Sequence, residues 1–124
     1  MKYLLLVHHK EQVLSDLGET MLGKMRDESV ALCNQIHSTG QYLDAAPLHP
    51  VSTATCVRVR EGKRIVTDGP YAETREQLGG YFFITANDQE EAVNIAARIP
   101  GARIGTVEVR PVVEVAGLPE SYSF

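Results

Sequence analysis

Two segments of helical hydrophobic period, 16–39 and 87–99, each lie between runs of strand character, and this alternation constrains the fold more than any other feature of the chain. Residues 2–8 are aliphatic enough for a buried strand, although period alone leaves helix open there. In the first helical segment Met21, Leu22, Met25, Leu32, Cys33 and Ile36 recur at three- and four-residue intervals along one face. Asp16 with Glu19 three residues later reads as a capping box, and Gly40 supplies a left-handed residue to end the helix. A short extended piece follows at Tyr42 and Leu43, where Pro47 and Pro50 exclude a central strand.

From Ala54 the period shortens to two. Thr55, Val57 and Val59 alternate with Cys56, Arg58 and Arg60; a compact loop at Glu61, Gly62 and Lys63 returns into Arg64, Ile65 and Val66, which reads as a hairpin. Residues 81–86 form the most strand-like run of the chain. Asn87 and Glu90 provide the start signal of the second helix, Ala92, Val93, Ala96 and Ile99 face inward, and Pro100-Gly101 stops it. Residues 106–113 close the pattern as a strand, with Pro111 placing it at an edge. The expected class is α+β, an antiparallel sheet of four or five strands with both helices on one face. The other face is then uncovered. His9, Arg58, Tyr81, Phe83, Glu108 and Arg110 are assigned to it, and pairing two such faces about a twofold axis predicts a homodimer.

Size and charge exclude several function classes. A chain of 124 residues accommodates one domain, expected over 1–115 with a tail at 116–124. The net charge of −4 and the absence of a basic cluster beyond Arg58, Arg60, Lys63 and Arg64 argue against a nucleic-acid partner. No apolar run approaches the roughly 18 residues of a membrane span, so no membrane association is expected. The apolar start is too short for a secretory signal and runs into His8-His9-Lys10-Glu11, so the expected location is cytoplasmic. Cys33 and Cys56 have no metal or redox spacing and read as core thiols, and no cofactor is expected.

About a dozen residues separate the strand ending near Val66 from the one starting near Gly80, where a bare connector needs about two to six. The segment is polar and specific in composition: Thr67-Asp68-Gly69-Pro70-Tyr71-Ala72-Glu73-Thr74-Arg75-Glu76-Gln77-Leu78-Gly79-Gly80-Tyr81. Such a loop is more often a pocket wall than filler.

This stretch closely resembles the signature of the YCII-related, or DGPF-domain, family, which typically has Phe where Tyr71 stands and Lys where Arg75 stands. The likeness extends through Ser52-Thr53-Ala54-Thr55, Val57-Arg58-Val59-Arg60, Ala96-Ala97-Arg98-Ile99-Pro100 and Val107-Glu108-Val109-Arg110-Pro111. The resemblance implies a ferredoxin-like protomer that forms a dimeric α/β barrel. It implies no particular reaction. Some relatives are encoded with or fused to sigma-factor-like regulators. More distant ones include ring-cleavage and dehalogenation-type enzymes with a proposed His–Asp pair. Here the position of that helix histidine, counted back from Gly40, is Ser29, with Asp44 nearest the acidic partner, so the mechanism is not carried over.

The candidate catalytic residues are His9 and Asp68, and the candidate ligand-binding residues are Tyr71, Glu73, Arg75, Gln77 and Tyr81. His9 is an acid or base near neutral pH, and it points away from His8 because neighbours on a strand face opposite sides. Asp68 precedes Gly-Pro, where a carboxylate also serves simply to fix a turn. Arg75 offers a fork for a carboxylate or phosphate, against the plainer reading of Glu73, Arg75 and Glu76 as a solvated cluster. No His/Cys/Asp spacing resembles a metal site. The expected protein is a homodimeric small-molecule-binding or catalytic barrel with its pocket beside the loop from Asp68 to Gln77, taking a small polar or anionic organic ligand. The competing expectation is a non-catalytic accessory or regulatory protein linked to sigma-factor signalling.

Overall fold

The structure is a computed structural model that describes residues 1–119, so of the expected tail only 116–119 is described and 120–124 lie outside. In chain order the elements are β1 (Lys2–His9), α1 (Glu11–Ser38), β2 (Tyr42–Pro47), β3 (Thr55–Arg60), β4 (Lys63–Asp68), β5 (Gln77–Thr85), α2 (Gln89–Ala96) and β6 (Thr106–Pro111). Short 3₁₀ turns occupy Val51–Thr53 and Pro100–Arg103. Four strands make one antiparallel sheet in the order β2-β5-β1-β6, the α+β arrangement of a ferredoxin-like fold.

Strict alternation along β1 and β5 divides the sheet into two faces. Tyr3, Leu5 and Val7 of β1 and Phe82 and Ile84 of β5 join Leu32 and Ile36 of α1 and Ala92, Ile95 and Ala96 of α2 in a single core. Both helices therefore cover the same face. Leu5 and Ile84 are fully inaccessible, and burial of such a side chain contributes about 1.5–3 kcal/mol. Across the other face run Phe83, Leu4 and Arg110 in one row and Tyr81, Leu6 and Glu108 in the next, with His8 beyond them. His8 bonds Glu108 Oε1 at 3.1 Å, and that bond holds the Glu108 carboxyl below its ordinary range.

Several expectations need correction. His9 is buried on the helix-covered side, because β1 alternates in phase with Tyr3, Leu5 and Val7. Arg58 does not lie on the main sheet at all. β3 and β4 pair only with each other, forming a separate hairpin in which every residue except Cys56 is exposed. The strand period was legible there, but period does not say which sheet a strand joins.

α1 begins at Glu11 rather than at Asp16, whose carboxylate instead accepts a bond from Gln12 Nε2 at 2.9 Å. Gly18 interrupts the helix with φ 82° and ψ 165°, a left-handed value open to glycine, so the segment is two helices joined at a kink. Its C-terminal end is as expected: Gly40 donates to His37 O and Gln41 to Ile36 O. The α2 N-cap is Asp88, one residue beyond Asn87; Asp88 Oδ1 accepts from Glu91 N at 2.9 Å. Ile95 faces the core and Val93 is exposed, the reverse of the expected assignment at 93. Met21 is exposed as well, and β6 ends at Pro111, at the sheet edge where a proline costs no ladder bond.

Candidate functional site

The inner side of α1 from Leu22 to His37 does not seal against the sheet. Opposite it the sheet carries Ala45, Pro47, Gly79 and Gly80, too small to fill the space beneath a helix. A cavity of about 590 Å³ remains, within the size range of small-molecule sites. Leu22, Met25, Ser29 and Cys33, spaced three and four residues apart, form its helical wall and are only half-buried. Val7, Phe82, Ile99 and Ile104 complete the apolar interior, and the exposed Arg26, Val30, Asn34 and His37 mark its open edge.

His9 is the buried titratable group of this cavity, 9 % exposed. Its place depends on a bulge in β5. Val7 pairs with Gly80 and His8 with Leu78, so Gly79 is an extra residue on that strand. The imidazole lies where a side chain at residue 79 would stand. Among the described residues no hydrogen bond holds the His9 ring, yet no buried side-chain nitrogen lacks a partner, so its nitrogens open onto accessible space. Burial lowers the His9 pKa from its ordinary 6.5, the charges of Glu11 and Glu76 pull it back up, and His8 adds a smaller push downward. The ring is therefore neutral near pH 7, able to accept a proton at one nitrogen and donate from the other. Burial likewise raises the Cys33 pKa, which keeps that group a thiol rather than a thiolate.

The signature segment has a different place. Asp68 ends β4 and is exposed, as are Tyr71, Glu73 and Arg75, and none of these four lines the cavity. The turn after Asp68 is held by Gly69 N donating to Ala54 O at 2.7 Å. Gln77 fastens the start of α1: its Oε1 accepts from Glu11 N at 3.1 Å, and its Nε2 donates to Thr74 O at 2.8 Å. Lys10 at the N-cap position provides no side-chain bond, so Gln77 satisfies one of the helix's orphan donors from another strand. Glu11 in turn accepts from Val51 N at 2.9 Å, and Glu76 accepts from Thr106 Oγ1 at 2.9 Å.

Of the candidates singled out in the sequence, His9 lies on the cavity side of the sheet, Tyr81 borders the cavity from β5 with its side chain on the helix-free face, and Gln77 pairs with His9 across the β1–β5 ladder. The Tyr81 hydroxyl donates to Asp44 Oδ2 at 2.8 Å. Ser29 lines the cavity and bonds Met25 O, whereas Asp44 does not line it, so the pair of positions matched to the distant enzymes does not converge there. Arg26 and the small-residue floor escaped sequence reasoning. The available signal was the pair Arg26 and Ser29 interrupting an otherwise apolar helix face.

Among the described residues no group of three His, Cys, Asp or Glu side chains is placed to hold a metal ion, and no helix is long and apolar enough to cross a membrane. The model of the YCII-related domain matches residues 1–116. An uncharacterized protein of Rhizobium meliloti (strain 1021) is 32% identical over 114 residues, covering 90% of this chain and 92% of that one. A family match over nearly the whole length, together with this relative, places the chain in the YCII-related family.

Proposed function

We propose that the protein is a homodimeric small-molecule-binding barrel whose ligand enters the cavity between α1 and the sheet, with His9 as its acid–base group. The observation that carries this reading is a neutral, buried imidazole that lines a largely apolar cavity and has no hydrogen bond among the described residues. Sites for small organic molecules combine such walls with a few convergent polar groups. A neutral imidazole can also take a proton from a bound acidic C–H or O–H, which makes catalysis available to the same site. The loop from Asp68 to Gln77 then supports the site indirectly, through the hold of Gln77 on the start of α1.

The homodimer rests on the helix-free face, where Leu4 and Leu6 remain half-buried beside Glu108 and Arg110. Covering apolar area contributes about 25 cal/mol per Å², and opposite charges two residues apart can exchange partners across a twofold axis. The detached hairpin, with Val57, Val59 and Val66 exposed, favours the second reading of an accessory protein that docks through it.

Native mass spectrometry of the purified protein, with a thermal-shift screen of aromatic and aliphatic small molecules, tests the first reading. Its expected result is a ligand whose binding is weakened by His9→Ala. Absence of binding by every compound, or binding indifferent to that substitution, moves the balance to the accessory reading.

A further inference from the structure

The charges around the cavity narrow its ligand. Among the described residues, none that lines it is Asp, Glu or Lys, and Arg26 is its permanently charged side chain. On a helix a side chain meets its neighbours three and four residues away, and for Arg26 these are Leu22, Gly23, Ser29 and Val30. No carboxylate on α1 can therefore reach it in that way. Glu28, the nearest glutamate along the helix, is taken by Arg103, which bonds both of its oxygens at 2.7 and 2.9 Å. Among the described residues Arg26 has no ion pair or hydrogen bond, while Arg103, Arg110 and Lys2 each face a carboxylate. A guanidinium at the mouth of an apolar cavity, with no acid among the described residues to meet it, presents a planar fork suited to a carboxylate or sulfonate.

We infer that the cavity takes an amphiphilic monoanion, its apolar body between Met25, Leu22 and Phe82 and its acid group held at the rim by Arg26. This rests on the cavity being a ligand site and adds the class of ligand. It also moves the anion grip from Arg75, exposed and outside the cavity, to Arg26.

Two probes with the same aromatic body separate the parts of this idea: 1-anilinonaphthalene-8-sulfonate and the uncharged N-phenyl-1-naphthylamine. Their affinities are measured by fluorescence titration on wild type and Arg26→Gln, and methyl NMR shifts of Leu22 and Met25 locate the bound probe. The expected result is that the sulfonate binds about tenfold tighter than the neutral probe to wild type. Arg26→Gln should remove that advantage and leave the neutral affinity unchanged. Equal affinities in wild type, or an advantage that survives the substitution, overturn the anion assignment while the cavity remains a ligand site. If neither probe perturbs the cavity methyls, the ligand-site reading itself falls, and the inference with it. Ser29→Phe, which places a ring in the cavity, should abolish both signals with the melting temperature retained; survival of the signals would mean that the probes bind elsewhere.

Discussion

His9 and Gly79 share one volume: a Cβ on residue 79 would lie 1.9 Å from Cε1 of His9 and 2.6 Å from its Nε2. The imidazole can occupy its position only because the bulged residue of β5 has no side chain. Gly79→Ala should therefore displace the ring and destabilise the protein by about 1–3 kcal/mol, the usual cost of overpacking. The double variant His9→Ala/Gly79→Ala should recover part of that loss, since the clashing ring is gone. Urea denaturation of the two single variants and the double measures the coupling. Strictly additive losses would mean that the two positions do not compete for space.

The same ring gives a signed pH dependence. Burial depresses the folded-state pKa of His9 below the ordinary 6.5, so below that pH the unfolded chain binds the extra proton first. Its contribution is fully favourable above about pH 6.5 and is lost as pH falls from there toward the folded-state value. Wild type should lose stability across this window relative to His9→Phe, with Glu11 and Glu76 moderating the slope. Chemical denaturation of both proteins from pH 7.5 to 5 reads the difference. Parallel curves would show that His9 does not titrate with folding.

Gln77→Ala should loosen the start of α1. It removes the acceptor for Glu11 N and the donor to Thr74 O, and loss of a helix-end bond of this kind costs on the order of 1 kcal/mol. Amide hydrogen exchange should rise at Glu11 and within residues 74–77. Exchange should be unchanged at Leu32 and Ile36, which lie in the core. Unaltered protection at Glu11 would show that water replaces the Gln77 oxygen without penalty.

Leu6 tests the proposed association. It sits on the helix-free face between Tyr81 and Glu108, so Leu6→Glu changes no core contact. Sedimentation should find dimers for wild type at micromolar concentration and monomers for the variant, with circular dichroism unchanged. A wild-type monomer, or a variant that still dimerises, excludes this face as the interface.

Local patterning was enough for the order of elements. The aliphatic run of β1, the aromatic run of β5, the apolar spacing of α1 and the Gly40 stop each express a backbone geometry that depends on near neighbours in the chain. Near neighbours also explain why His8 and His9 part to opposite faces, as the structure has them. What sequence patterning could not decide was anything requiring two distant segments. It could not place the β3–β4 hairpin outside the main sheet, because alternation is the same in either position. It could not show that Gln77, 66 residues away, would hold Glu11, or that Arg103 would hold Glu28. The cavity is of the same kind: helical spacing alone makes Leu22, Met25 and Cys33 a core face. Only the tertiary fold sets the small residues Ala45, Gly79 and Gly80 opposite them and leaves the space unfilled. Void volume is a property of two surfaces brought together, and each is written in the sequence without the other.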